Sequence, residues 1–372
     1  MSATPLRIEG LALRGWRNLR PTTLRPGPVF NVVHGDNGAG KSNLLEALAY
    51  LGALRSFRGA RTDDLIGLGE DAAAIDARVS GEAAPRRFRV ALGRGVPRRL
   101  QLDGKRPRAL GAWHQALQLV LFHPGDLGLA AGPPEPRRAF LDRILEQLDA
   151  AYGATLQSYG KALRSRNRLL KDEDADPRQI RAYDQVLAQA GAIVGQARAA
   201  MVEDLAPRAE EAFREVAGEV LPLRVRYAPK VRPEPEAIRE ALARDFAKDR
   251  ARGFTGAGPH GDELAFEVRA AGTESTQSAR HHASQGQQRA LVLALKVAEL
   301  QLLTARTGRV PVLLLDDVSS ELDRSRNRRF FALLRTLGGQ VFLTTTHPEF
   351  ILLEEDRVDF LVEAGTLSRE GP

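Results

Sequence analysis

The stretch Gly35-Asp36-Asn37-Gly38-Ala39-Gly40-Lys41-Ser42 has the spacing G-x-x-x-x-G-K-S, which suits it to hold phosphate. Glycines let backbone N–H groups turn inward around phosphate oxygens, and a following helix adds its positive N-terminal end. In such a loop Lys41 reaches the β- and γ-phosphates and the Ser42 hydroxyl is placed to ligate Mg2+. Asn43 follows directly and joins the candidate set. A second candidate is Asp316-Asp317, which closes the apolar run Val312-Leu313-Leu314-Leu315. A carboxylate at the C-terminal edge of a buried parallel strand, beside a phosphate loop, holds Mg2+ directly or through water. Asp316 fits that role, and Asp317 would then orient or deprotonate an attacking water. Third, Ser284-Gln285-Gly286-Gln287-Gln288-Arg289 begins a helix. It reads as a polar N-cap and equally as an anion site in which Ser284 and the Gly286 amide meet a γ-phosphate. Fourth, His347 ends the run Val341 to Thr346. A lone His is commonly structural; at a strand end in such a sheet it also suits a γ-phosphate sensor.

The elements that must position these residues follow from hydrophobic periodicity. Val29-Phe30-Asn31-Val32-Val33 reads as a strand feeding the glycine loop, and Leu44, Leu45, Leu48 and Leu51 recur behind it at helical spacing. Leu6, Ile8, Leu11 and Leu13 read as strands, punctuated by Pro21 and Pro26-Gly27-Pro28. A helix over Gln287 to Thr304 precedes the buried strand, and another from about Arg326 to Leu337 leads to the strand Val341 to Thr345. The middle differs. Phe140, Leu141, Ile144, Leu145 and Leu148 continue into Tyr152, Leu156, Tyr159 and Leu163 as one helical stripe. Asp172 to Pro177 breaks it, and a second stripe runs through Ile180, Tyr183, Leu187, Ala190 and Val194. This predicts an antiparallel helical hairpin with arms of about 30 residues, roughly 45 Å. The same stripe is what a packed bundle face produces. Strand-like segments return at Leu221 to Tyr227 and Leu264 to Val268. Strand–helix alternation on both sides of a helical insertion predicts an α/β head built from both ends of the chain. The expected division is 1–135 and 255–372 for the two parts of the head, and 136–254 for the arm.

The chain has 372 residues, 43% hydrophobic and 27% charged, as in a globular protein of two or three domains. No stretch reaches the roughly 18 uninterrupted apolar residues of a membrane span, and Met1 to Gly10 lacks the apolar core of a signal peptide. There is no cysteine, which excludes disulfides, Cys-ligated zinc, iron–sulfur clusters and thiol catalysis. A cytoplasmic protein with no membrane partner is expected. The formal charge is +7, a balance that suits polyanionic partners. With 47 Arg against 7 Lys, the same bias also follows from a GC-rich coding sequence. Its distribution says more. Arg86, Arg87, Arg89, Arg94, Arg98, Arg99, Lys105, Arg106 and Arg108 face only one acid, Asp103. Alternation and the turn residues Asp103-Gly104 predict a β-hairpin with a basic face. Lys161, Arg164, Arg166 and Arg168 are a second candidate contact, or a solvated helix face.

Taken in order, the glycine loop, Ser284 to Arg289, Asp316-Asp317 with Ser320-Glu321-Leu322-Asp323, and Thr345-Thr346-His347 resemble an ABC-type P-loop ATPase head. Within that class the chain resembles the RecF family, related to the SMC group. Trp16-Arg17-Asn18, Arg55-Ser56-Phe57-Arg58, Pro124-Gly125-Asp126-Leu127, Gly132-Pro133 with Arg137 to Asp142, and Gly258-Pro259-His260 before Asp262 support the resemblance. It implies an SMC-like fold: an ABC-type head with an inserted helical arm and no long coiled coil. It further implies an ATP-dependent homodimer with two sandwiched nucleotides. Gly35 to Ser42, Asp316, Asp317 and His347 would act in cis, Ser284, Gly286 and Gln287 in trans, and Asp323 at the seam. The implied cofactors are ATP and Mg2+. The implied partners are double-stranded DNA near single-strand gaps, RecO and RecR, with RecA loading as the outcome in repair, replication and the SOS response. A slow, DNA-stimulated ATPase that acts mainly as a switch is expected. Three positions depart from the wider pattern. Gln285 replaces the first glycine of the ABC signature, Asp317 replaces the usual glutamate, and Gly261 stands where an Arg is common. No Q-loop glutamine is assigned. The alternatives are the ATPase subunit of a transporter, a structural DNA-bridging protein with weak turnover, and a metal nuclease.

Overall fold

The computed structural model describes residues 3–81, 84–217, 222–269, 276–317, 324–351, 353 and 355–370. Along the chain the elements used below are β1 (Arg7–Arg14), β2 (Thr22–Leu24), β3 (Phe30–His34), α1 (Lys41–Ala53), β4 (Ala72–Ser80), β5 (Arg86–Gly93), β6 (Val96–Leu102) and β7 (Leu119–Phe122). Then come α2 (Pro134–Leu148), α3 (Tyr152–Leu170), α4 (Asp184–Ala217), β8 (Leu223–Ala228), β9 (Glu263–Arg269) and β10 (Thr276–Ser278). The last part has α5 (Gln285–Thr307), β11 (Val312–Asp316), α6 (Arg324–Leu337), β12 (Val341–Thr345), β13 (Arg357–Glu363) and β14 (Thr366–Glu370).

The chain groups into two compact units. The first joins Met1–Leu127, Glu211–Val220 and Ser284–Pro372; the second joins Gly128–Glu210 and Leu221–Ala283. The head therefore uses both ends of the chain. The second unit runs on to Ala283, past the expected limit at 254, because β9 pairs antiparallel with β8 on one side and β10 on the other.

In the first unit a six-stranded sheet has the order β14-β13-β3-β12-β11-β7. All neighbours are parallel except the edge pair β13 and β14. Its inner strands are near-continuous apolar runs, as a sheet covered on both faces requires: Val312 to Leu315 and Val341 to Leu343 are all buried. A five-stranded antiparallel sheet, β2-β1-β4-β5-β6, lies in the same unit. It alternates, with Ile75, Ala77 and Val79 inside and Asp76 and Arg78 outside. Helix α1 packs on strands of both sheets. It is apolar nearly all round, and Leu44, Leu45, Leu48 and Leu51 share one core with Trp16, Phe88, Val312 and Phe342.

Two sequence expectations need correction. The basic hairpin exists, but β5 and β6 turn at Arg94-Gly95, where Gly93 pairs with Val96. Asp103-Gly104 makes a separate tight turn that closes a Leu102–Lys105 bridge, with φ +53 and +77; both turns carry a Gly at a positive φ, so composition alone did not separate them. The helical arm is also not two equal rods. The first stripe breaks between Leu148 and Tyr152 into α2 and α3, and α3 has 19 residues against 34 in α4. At 1.5 Å per residue these span about 28 Å and about 51 Å. The stripe residues Tyr159, Leu187 and Ala190 are buried with Ile238, Ala241 and Leu242, so this is a packed bundle face. Among the described residues no helix is long and apolar enough to cross a membrane.

Candidate nucleotide site

Parallel strands carry their ligands beyond their C-terminal ends. Three neighbouring strands end at the residues in question: β3 at the glycine loop, β11 at Asp316 and β12 at Thr345. The loop leaves β3 through Gly35, whose φ is +137; a Cβ there would lie 2.3 Å from the Val362 carbonyl oxygen. It enters α1 through Gly40, φ +125. Neither turn is open to an L side chain. The first amides of α1, those of Lys41 and Ser42, have no acceptor within the helix, whereas the Asn43 N–H already donates to the Gly40 carbonyl at 3.0 Å.

Residues of the turn after β1 brace this loop. Asn18 Nδ2 donates to the Gly38 carbonyl (3.0 Å), and Asn18 Oδ1 accepts from Asn43 Nδ2 (2.7 Å). Trp16 Nε1 donates to the Asn43 carbonyl at 2.9 Å. Beneath it, Arg17 Nε and Nη2 each donate at 2.9 Å to the Glu46 carboxylate. Glu46 is fully buried on α1 and also accepts from Ser56 Oγ. Trp16-Arg17-Asn18 is thus the bracing of the loop.

Lys41 is buried, and its Nζ donates to the carbonyls of Gly35 (2.7 Å) and Asp36 (2.9 Å). Burial lowers its pKa from the ordinary lysine value, while the carboxylates of Asp317, Asp36 and Asp316 pull the other way. A cavity of about 260 Å³ opens here, lined by Asn37, Gly38, Gly40, Lys41, Ser42, Asn43, Arg58, Asp317, Thr344 and Thr346. Gly35, Asp36 and Ala39 do not line it; the Ala39 carbonyl accepts from the Gly365 N–H at 3.0 Å. Asp316 does not line it either and is buried, with Oδ1 accepting from Thr344 Oγ1 at 2.8 Å and Oδ2 3.9 Å from Arg58 Nη2. Arg58 Nη1 donates to Asn43 Oδ1 at 2.9 Å. Asp317 has φ +52.

The remaining candidates lie elsewhere. His347 is exposed, with Nδ1 3.1 Å from Glu349 Oε1, and does not line the cavity; Thr346 does. Ser284 is the exposed N-cap of α5, its Oγ accepting from the Gln287 N–H (3.2 Å) while Gln287 Oε1 accepts from the Ser284 N–H (2.9 Å). This is a capping box; neither these two residues nor Gly286 line the cavity. Ser320 to Asp323 lie outside the described residues.

Residues 7–365 match the RecF/RecN/SMC N terminal domain family. The chain is 40% identical to the DNA replication and repair protein RecF of Anaeromyxobacter sp. (strain Fw109-5), over 98% of this chain and 99% of that protein. The chain belongs to the RecF family of DNA replication and repair proteins. It is also 38% identical to the RecF of Myxococcus xanthus (strain DK1622), over 92% of this chain and 91% of that one. A solved structure of the recombination mediator protein RecF-ATP in the RecFOR pathway superimposes with a TM-score of 0.89 at 27% identity, covering 100% of this chain and 99% of that one. The Smc head domain of Pyrococcus furiosus shares the fold, with a TM-score of 0.58 at 16% identity over 98% of this chain and 96% of that one. The architecture is therefore the ABC-type α/β head of the RecF and SMC proteins.

Sequence reading missed three residues of the cavity wall: Arg58 and Thr346, quoted only as parts of family stretches, and Thr344, which no motif singled out. It also misplaced Arg166. That side chain is fully buried in the second unit, with Nε donating to Asp184 and Nη1 to Asp249, both at 2.9 Å. It is neither a solvated face nor a nucleic-acid contact. Gly258-Pro259-His260 is structural too. Tyr159 Oη lies 2.6 Å from His260 Nδ1, and His260 Nε2 lies 2.8 Å from the Thr255 carbonyl. A carbonyl only accepts, so Nε2 carries the proton, and Tyr159 donates to Nδ1. Burial lowers the His260 pKa, which keeps the ring neutral.

Proposed function

We propose that this RecF-family protein binds ATP in the cavity above Gly35–Ser42 and that two copies close on two nucleotides while bound to DNA. The observation that carries this reading is the convergence of the glycine loop, Arg58, Asp317 and Thr344 on one cavity. Lys41 and the α1 amides receive phosphate oxygens, and Arg58 adds a second positive charge on the same wall. A lone hydroxyl, Ser42, and one buried carboxylate, Asp316, form the sparse donor set that suits Mg2+, which keeps waters and phosphate oxygens as its other ligands. When bound there, Mg2+ neutralises charge on the β- and γ-phosphates. Asp317, on the cavity wall, orients the attacking water and takes its proton.

The exposed N-terminus of the 23-residue helix α5 supports a role in trans. Ser284 at its N-cap is exposed, and there the positive end of the helix dipole meets the γ-phosphate of a second copy. Only ATP supplies that bridging group, so hydrolysis favours reopening. In this scheme His347 senses the γ-phosphate after turning from Glu349. The exposed arginines of the β5–β6 hairpin hold double-stranded DNA near single-strand gaps. Through RecO and RecR the dimer promotes RecA loading in the cytoplasm, with slow, DNA-stimulated turnover.

Sedimentation velocity with and without Mg-ATP, repeated with gapped duplex DNA, tests this reading. A doubling of mass that needs the triphosphate supports it. A mass that stays the same at saturating nucleotide overturns it, and DNA binding that is then indifferent to Lys41→Ala favours a structural DNA-bridging protein.

A further inference from the structure

Thr344 is buried, at 2% exposure. It sits on β12 directly beside Asp316 of β11, its Cα partner in the parallel register. Its hydroxyl has one proton, and that proton is committed: Asp316 Oδ1, 2.8 Å away, can only accept. The lone pair of the same oxygen receives the Asp317 N–H at 3.0 Å. Asp317 follows the last residue of its strand and adopts φ +52, a left-handed conformation that a non-glycine residue holds only when its surroundings fix it. Its amide has left the strand ladder, and the Thr344 hydroxyl takes the place of a ladder carbonyl.

We propose that Thr344 is a positioning residue for the ATPase site: one hydroxyl sets the rotation of Asp316 and the backbone turn that aims Asp317 at the cavity. This rests on the nucleotide site proposed above. Asp316 keeps one oxygen on the hydroxyl and one for the cation, so its carboxylate is presented in a single orientation. Asp317 projects into the cavity because its backbone is held in the left-handed turn. Val in place of Thr keeps the shape and removes both bonds; Ser keeps both bonds and loses a methyl group.

The test compares Thr344→Val, Thr344→Ala and Thr344→Ser in the full chain. In the nucleotide-free protein, hydrogen exchange of peptides ending at Asp317 is expected to quicken at the Asp317 amide in the Val and Ala variants and to stay as in the parent in Ser. Mn2+ binding in the presence of ATP, read by electron paramagnetic resonance, is expected to weaken about 10- to 100-fold in Val and Ala, the usual effect of losing an outer-shell partner. ATP affinity without metal should change less than twofold, since Lys41 and the loop amides are untouched. If Val fails to fold, Ala against Ser carries the comparison, because both are smaller than Thr. Unchanged exchange and unchanged Mn2+ affinity in Val or Ala would overturn the proposal. If the parent protein binds no Mg-ATP at all, the nucleotide reading fails instead, and the exchange result still decides whether Thr344 holds the Asp317 turn.

Discussion

Replacing Arg17 by Met would strand a carboxylate under the phosphate loop. Glu46 is fully buried, and its two oxygens accept from Arg17 Nε and Nη2 at 2.9 Å each. Among the described residues its other donor is Ser56 Oγ. Arg17 also donates to the Asp64 carbonyl at 2.9 Å. Breaking a buried pair from one side costs about 3–5 kcal/mol. Arg17 is one-fifth exposed, so water can partly follow its loss, and about 3 kcal/mol is the fitting end of that range. The first unit holds about 230 residues, and at about 2 cal/mol/K per residue its unfolding entropy is about 0.5 kcal/mol/K. The melting temperature of that unit should then fall by about 6 °C. The assay is differential scanning calorimetry of Arg17→Met, Glu46→Leu and the double variant. The double variant should recover most of the loss, since an apolar pair of similar volume replaces the ion pair. ATP affinity should weaken in Arg17→Met, because Glu46 lies on the helix that begins at the loop. A drop under about 2 °C, or strictly additive single and double effects, would refute the assignment of this pair as the support of the loop.

Three further outcomes follow from the same geometry. Ser284→Arg should spare ATP binding by the monomer and abolish ATP-dependent dimerisation, at a cost of about 1 kcal/mol for the lost cap; sedimentation and equilibrium binding check both halves. Arg87→Ala, Arg99→Ala and Lys105→Ala, all exposed, should each lower the slope of log affinity for DNA against log salt by about 1, whereas Arg94→Ala should leave the slope alone and lower the melting temperature, because Arg94 donates to the carbonyls of Glu70, Gly67 and Asp63. His260, whose pKa burial lowers below 6.5, binds its proton in the unfolded state first. Its contribution is whole above about pH 6.5 and is lost as pH falls toward the folded value, by at most about 1.4 kcal/mol per pH unit. Thermal melts of His260→Gln between pH 7.5 and 5 should be flatter than those of the parent.

The residues of the chain determined, by themselves, whatever depends on near neighbours. The glycine loop between strand and helix, the apolar runs of β11 and β12, and the Ser284 cap are patterns of a few residues, and local dihedral and periodicity rules suffice to read them. Both helical stripes were legible for the same reason, though their lengths were not, since nothing local marks where Leu148 yields to Tyr152. Tertiary structure alone decided which polar groups meet. Thr344 reaches Asp316 only because two parallel strands set their ends side by side. Arg17 finds Glu46, and Arg166 finds Asp249 far along the chain, only once the surrounding core closes. An arginine on a helix carries no local sign of whether water or a buried carboxylate receives it. The physical reason is that charge and hydrogen-bond partners are chosen by burial, and burial is a property of the packed core and not of any segment.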